Sequence, residues 1–334
     1  MREIMSEAKV RVVIYKLRRH PNADALSIAD IEGSAWQVVV RSADFKQEGT
    51  AIYIPVDTVV PETEEFEFLR DKHFRIKAIK LRGEYSYGLL IPNKDNLPVG
   101  EDVTDKLGIK KYEPPTPIDM TGEVLPYSKV DWIPVYTDVE RYENFPDVFK
   151  PGEEVVVTEK IHGSNLRVTR AGDELFVGGH RWMYKESEKN LYWKAIRQNG
   201  IDTLLLEKLP NKMALFGEVY GKKVQKLHYG LNTPKVVFYD AFYDGSYLNW
   251  NKFMALINQI GLSESTVPLI YKGGYDLERI KGLATGNTLL GGDHYREGVI
   301  AKPMIERFDG KVGRVILKFI NPMYETSKER TDFH

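Results

Sequence analysis

The sequence predicts a small β-barrel followed by a mixed α+β domain, and three observations carry that prediction. Between residues 10 and 98, short β-rich runs alternate with turn residues. Between 110 and 126 the chain carries Pro114, Pro115, Pro117 and Pro126 with few large apolar residues. From about Lys129 onward, strand and helix patterns intermix. A chain of 334 residues with 42% hydrophobic content can bury a substantial core, and its length suits two domains.

Taken in order, the runs at 10–15, 36–40, 51–54, 75–81 and 88–91 are rich in β-branched and aromatic residues and read as five strands, enough for a small barrel spanning 1–108. Prolines mark 109–128 as a linker. In the domain at 129–334, Val155, Val156, Val157 and Thr158 are β-branched throughout and read as a buried strand. A helix is expected over 249–260, where Phe253, Leu256, Ile257 and Ile260 share a face and Gly261 can stop it. A second helix is expected after Asp276, whose carboxylate can cap it. No repeat or low-complexity tract interrupts the pattern.

Composition removes several chemistries. The chain has no cysteine, so disulfides, thiolate metal sites and cysteine nucleophiles are out, and a cytosolic setting is expected. Its seven histidines show no metal-ligand spacing, so zinc is not expected. No apolar run approaches the roughly 18 residues that span a bilayer, and Met1–Glu7 mixes acids with apolar residues unlike a signal peptide. Net charge is −1, and residues 1–106 hold 16 basic against 18 acidic residues, so nucleic-acid contact requires clustered basic groups or is weak. Lys16, Arg18, Arg19 and His20 form one such run; Arg75, Lys77, Lys80 and Arg82 form another.

The most informative peptide is Thr158-Glu159-Lys160-Ile161-His162-Gly163-Ser164-Asn165. It delivers a lysine from the end of a rigid strand, and Gly163 permits a tight turn and close approach to a ligand. Lys-x-x-Gly also occurs at Lys46 and Lys80, so spacing does not choose among the three. Further peptides do: Phe216-Gly217-Glu218-Val219-Tyr220-Gly221, Val237-Phe238-Tyr239-Asp240-Ala241-Phe242, Glu297-Gly298-Val299-Ile300-Ala301-Lys302 and Val315-Ile316-Leu317-Lys318-Phe319. Together these resemble the successive motifs of the covalent nucleotidyltransferase superfamily, and the lysine peptide most resembles the ATP-dependent RNA ligases. The resemblance implies an α+β domain whose antiparallel sheets flank a nucleotide cleft. In the front domain, His20-Pro21-Asn22-Ala23-Asp24-Ala25-Leu26 and the stretch from Leu81 to Leu90 resemble tRNA-binding OB-fold domains, which implies that the barrel is an OB barrel.

A lysine attacks only as the free amine, and its ordinary pKa of about 10.4 leaves almost none at neutral pH. Burial and neighbouring cations must lower it at Lys160. Glu218 emerges from a buried run between glycines, and Glu297 precedes Gly298 in the same manner. Two acids at separate strand ends complement one magnesium ion that keeps several waters, with manganese able to replace it. By resemblance these acids serve ribose and metal. Arg181 matches the family arginine downstream of the nucleophile, its planar fork suited to phosphate oxygens. Lys318 ends a strand whose alternation puts Arg314, Ile316 and Lys318 on one face. RNA ligases usually carry Lys-x-Lys here, and Ile316 and Ile320 depart from it, so Lys302 or Arg314 is the expected substitute. Phe238 and Phe242 share a strand face with Asp240, and one of them is expected to stack on adenine, with Tyr239 on the other side. Glu159 sits where the family reads the adenine amino edge, and Asn165 matches a polar residue near the ribose or the next substrate. His162 replaces an aspartate common in the wider superfamily and is assigned no role.

The resemblance implies ATP-dependent RNA ligation through lysyl-AMP and RNA-adenylate. An OB barrel ahead of the catalytic domain is similar to the clade that combines these modules and repairs nicks. The expected partner is nucleic acid, a nicked duplex with a 3′-hydroxyl RNA end, acted on by a monomer without a membrane. Rivals are a DNA ligase of the same chemistry, a capping guanylyltransferase, and a tRNA-binding OB-fold protein with a degenerate catalytic half.

Overall fold

A computed structural model describes residues 9–112, 122–125, 130–136, 139–180, 182–198, 200–225 and 227–327. The chain forms two compact units, Met1–Glu113 with Glu140–Asp147, and Pro114–Val139 with Val148–His334.

In the first unit, β1 (Arg11–Arg19), β2 (Leu26–Ile31), β3 (Gln37–Arg41), β4 (Glu48–Ile54) and β5 (Leu89–Pro92) make an antiparallel sheet in the order β3-β2-β1-β4-β5. Strand periodicity explains its burial: Ala51 and Tyr53 enter one apolar cluster, while Ile52 and Ile54 enter another. Two departures from the sequence reading occur. Leu26–Ile31 is a strand, although Ala29 and Asp30 blur its alternation. The 75–81 run is split into Arg75–Ile76 and Ile79–Leu81, because each half pairs with a different strand, Thr58–Val59 and Glu84–Ser86. The segment Glu140–Asp147 belongs here through Trp36, whose indole donates to Asn144 (2.7 Å) and lies 4.6 Å under the Arg141 guanidinium.

The basic runs of this unit are largely committed to neighbours. Arg18 bonds Asp30 and Gln37, and buried Arg75 pairs with Asp57 and stacks 3.5 Å over Tyr112. His20 is buried against the Leu81 carbonyl.

The second unit holds two larger sheets. β7 (Ser164–Ala171), β8 (Glu174–Gly178), β9 (Met213–Tyr220) and β10 (Lys235–Tyr243) form the centre of a seven-stranded sheet in the order β8-β7-β9-β10. β6 (Glu154–Lys160), β11 (Leu269–Gly274), β12 (Gly298–Pro303) and β13 (Leu317–Ile320) are ordered β13-β12-β6-β11 in another. Helices α1 (Leu191–Arg197), α2 (Ile201–Lys208) and α3 (Trp250–Ile260) contribute to an extended apolar core with the first of these sheets. α3 buries Trp250, Phe253, Ile257 and Ile260 on one face and ends at Gly261 with φ of 92°. α4 (Leu277–Ala284) is capped by Asp276, which accepts from the Arg279 amide at 2.7 Å. The last helix, α5 (Pro322–Thr326), is capped by Asn321. No described helix is long and apolar enough to cross a membrane.

Phe253 is fully buried where α3 meets this core. Phe253→Ala leaves a cavity there and is expected to lower unfolding free energy by about 3–5 kcal/mol, read from the denaturant midpoint at unchanged m-value.

Candidate active site

β6 ends at Lys160 in one sheet and β7 begins at Ser164 in the other, so the three residues Ile161, His162 and Gly163 carry the chain from sheet to sheet. The crossing is tight. A Cβ on Gly163 would lie 2.3 Å from the Val219 carbonyl oxygen and 2.7 Å from the Glu218 side chain, which only glycine avoids. Lys160 pairs with Gly298 across the β6–β12 ladder, which brings the preceding Glu297 beside the lysine. Gly298 has φ of 153°, and a Cβ there would lie 2.1 Å from the Phe319 carbonyl oxygen. On the other sheet, Asn165 pairs with Glu218 across β7–β9. Two hydrogen-bond ladders therefore set Lys160, Glu218, Glu297 and Asn165 around one crossing.

Beside this crossing is a cavity of about 270 Å³, lined among others by Thr158, Glu159, Lys160, Asn165, Glu218 and Lys318. Its apolar wall includes Trp250, Val267, Ile300 and Ile316. Lys160 Nζ lies 2.6 Å from Glu297 Oε1. Burial would raise the Glu297 carboxyl, but the lysine charge and His162 outweigh it and hold the group at about 2. Glu218 goes the opposite way. Burial pushes it up to about 8, with Lys160 opposing and the Glu297 charge adding to the rise. Two carboxylates near one ammonium thus carry more negative charge than the ligand-free site tolerates. A divalent cation is the group that relieves it, and the oxygen donor set suits magnesium or manganese. Among the described residues no cluster of three or more His, Asp or Glu is placed to hold a metal ion by itself.

A model of the RNA ligase family matches residues 153–320, half of the chain. The chain belongs to the RNA ligase family. An OB-fold domain model matches residues 8–93 of the ligase. Solved structures of the Naegleria gruberi RNA ligase are similar over nearly the whole length. A lysine-to-alanine variant with ATP and Mn gives a TM-score of 0.80 at 27% identity, covering 96% of this chain and 99% of that one. A glutamate-to-alanine variant with AMP and Mn gives 0.80 at 27%, covering 97% and 100%. The form with PPi gives 0.78 at 26%, covering 95% and 98%. Comparison with curated protein sequences found no match.

Within the ligase, Lys160, Glu159, Asn165, Glu218, Lys302 and Lys318 all line the cavity, and Glu297 joins them through its bond to Lys160. Arg181 lies outside the described residues. The aromatic expectation requires correction: Phe238 is buried in the helix-side core, Phe242 in a cluster with Phe216 and Met183, and neither lines the cavity. Tyr239 does, and its hydroxyl accepts from Asn165 Nδ2 at 2.7 Å. The cause is a β-bulge. Phe216 pairs with Asp240 but Gly217 with Phe238, so Tyr239 is the extra residue and strict alternation fails there.

Of the two substitutes for the second lysine, Arg314 needs correction. Arg314 does not line the cavity: it is buried, 2.9 Å from Asp240 Oδ2 and 2.6 Å from Glu306 Oε1. Lys302 bonds Asp240 and lies 3.5 Å from Glu306. Burial opposes ionisation of Asp240, but Arg314 and Lys302 hold its carboxyl below the ordinary value. Two cations thus face two anions, and Lys302 does so from the cavity lining. Ile316 itself stands in the cavity wall beside Lys318.

Glu159 is buried, with its carboxylate accepting from the Thr288 hydroxyl and, at 2.8 Å, from the Leu289 amide. Burial nevertheless raises its pKa above the ordinary value. Sequence reasoning missed His180, Tyr136 and Trp250 as lining residues. His180 had a signal in its two preceding glycines; Tyr136 and Trp250 had none, since only tertiary folding brings them to the cavity.

In the metal-free and ATP-free ligase, the Glu218 pKa is raised by folding, so its stabilising effect is present at low pH and lost as pH rises toward and through 8. Glu218→Gln removes that loss. Its thermal midpoint should exceed that of the parent by a margin that grows from pH 5 to pH 8 and then levels, as read from melting curves in chelator.

Proposed function

We propose that this ligase is ATP-dependent and seals 5′-phosphate to 3′-hydroxyl ends at nicks whose 3′ terminus is RNA, as a cytosolic monomer. The observation that carries the proposal is Lys160 Nζ, held 2.6 Å from Glu297 at the cavity wall by two ladders that also bring up Glu218. The similar Naegleria gruberi structures with ATP, AMP and Mn support ATP as substrate and a divalent metal.

In this reading the Lys160 amine attacks the α-phosphorus of ATP. The N–P bond forms, the bond to the bridging oxygen breaks, and pyrophosphate leaves, giving lysyl-AMP. The 5′-phosphate of the nucleic acid next displaces Lys160 and takes the adenylyl group. The 3′-hydroxyl then attacks the activated phosphate, loses its proton, and releases AMP. Glu297 holds the resting lysine in place as an ammonium; when that pairing is relieved the ammonium gives its proton to solvent and becomes the attacking amine. Glu218 and Glu297 would hold magnesium or manganese, which when bound supplies positive charge against phosphate oxygens and against the protonated lysine. Lys318 offers a cation at the cavity wall for phosphate, and the described Tyr239, Ile300 and Ile316 suit a flat base. Arg181 is proposed as a further phosphate contact from its sequence motif. The barrel of residues 1–108, joined by the 109–128 linker to the catalytic domain at 129–334, is proposed to serve the nucleic-acid steps.

Incubation with α-labelled ATP and magnesium should label the parent chain and leave Lys160→Ala unlabelled, a loss of at least about a thousandfold, as expected when the nucleophile is removed. Label that survives in Lys160→Ala ends this reading. Nicked duplexes ending in ribose or deoxyribose at the 3′ side test the RNA assignment; equal sealing of an all-DNA nick would make the enzyme a DNA ligase.

A further inference from the structure

The turn that carries Lys160 is held by three side chains from outside it. The His162 amide donates to the Tyr229 hydroxyl at 2.8 Å, and Gln225 Nε2 donates to the Gly163 carbonyl at 2.8 Å. The third comes from α5. The Tyr324 hydroxyl lies 3.0 Å from His162 Nδ1, with the two rings 5.9 Å apart. All of these but Gln225 are buried: Tyr229 is 2% exposed, Tyr324 6% and His162 7%.

Tyr324 is also tied to the acid that pairs with the lysine. Asn321, fully buried, receives no freedom from its position: its amide donates to the Glu297 carbonyl at 2.9 Å and its Nδ2 to the Arg296 carbonyl at 3.1 Å. Its Oδ1 caps α5 by accepting from the Met323 amide at 3.0 Å. α5 therefore starts from the backbone of the Glu297 segment and reaches across to the His162 ring. That ring has little else to fix it. Its Nδ1 is 3.7 Å from Glu297 Oε2, longer than an ordinary hydrogen bond, and its Nε2 is buried without a protein partner among the described residues. Without the tyrosine hydroxyl, packing alone would hold the imidazole next to the Lys160–Glu297 pair.

We infer that Tyr324 is a positioning residue of the ligase. Its hydroxyl fixes the His162 ring, and the ring, with Nδ1 3.7 Å from Glu297 Oε2, limits where the carboxylate that faces Lys160 can turn. The inference rests on the reading of Lys160 as nucleophile, and it assigns a role to a residue beyond the 153–320 span of the family match. Its chemistry is that of an outer hydrogen bond that orients a reacting group without touching substrate, where loss costs about tenfold or more in activity.

The test is single-turnover labelling of the full chain with α-labelled ATP and magnesium over a range of ATP concentrations. Tyr324→Phe removes only the hydroxyl. It is expected to lower the maximal labelling rate about tenfold, with half-saturating ATP changed less than about twofold and the thermal midpoint nearly unchanged. Because the tyrosine acts through the histidine, Tyr324→Phe should cost nothing further in a His162→Ala background, and in His162→Asn should that variant fold better. The inference is overturned if Tyr324→Phe labels at the parental rate, if its loss appears only in half-saturating ATP, or if the two substitutions multiply independently. Absence of label on the parent chain would instead remove the ligase chemistry itself, so the two failures are told apart.

Discussion

The catalytic unit depends on one close approach. Gly163 passes so near the end of β9 that a single methyl group would strike the Val219 carbonyl and the Glu218 side chain. This contact lets β6 leave one sheet and β7 enter the other within three residues. Because both strands are then locked by antiparallel ladders, the side chains at their ends have fixed neighbours: Lys160 beside the Glu297–Gly298 peptide, Asn165 beside Glu218. Site geometry is thus held mainly by backbone hydrogen bonds, the stiffest elements available, and less by loops.

Electrostatics divides the cavity surroundings into two parts. Near the crossing, Glu297 and Glu218 have opposite shifts, one down to about 2 and one up to about 8, because desolvation dominates at Glu218 while Lys160 and His162 outweigh it at Glu297. That imbalance is one a divalent cation would relieve. Farther along, Asp240, Glu306, Lys302 and Arg314 are balanced, with Arg314 also stacked 3.7 Å over Tyr247. A balanced buried network is costly to break. It forms part of the cavity wall through Asp240 and Lys302, while Arg314 stands behind it.

Much of the fold was legible because its signals are local. β-Branched runs gave β6, apolar spacing with Gly261 gave α3, and Asp276 gave the cap of α4. β2 was missed because its small and acidic residues do not alternate cleanly, and 75–81 was read as one strand because pairing with two different partners leaves no local mark. In the site, Lys160, Glu218, Glu297 and Lys318 were readable because each sits beside glycine or ends an apolar run. Tyr239 was not, since a bulge is a relation between two strands and is absent from either one alone.

Sequence by itself determined which chemical groups this chain possesses: a lysine at a strand end, two glycine-flanked acids, a terminal lysine, and no cysteine or zinc-type spacing. Those are properties of residue type and short-range geometry, which neighbours along the chain dictate. Tertiary structure decided how the groups are spent. It paired Lys302 and Arg314 with buried acids, turned Tyr239 toward the cavity, and brought α5 back so that Tyr324 meets His162 across 162 residues. Such outcomes depend on long-range packing and on which charges share a low-dielectric space, and no local pattern encodes either.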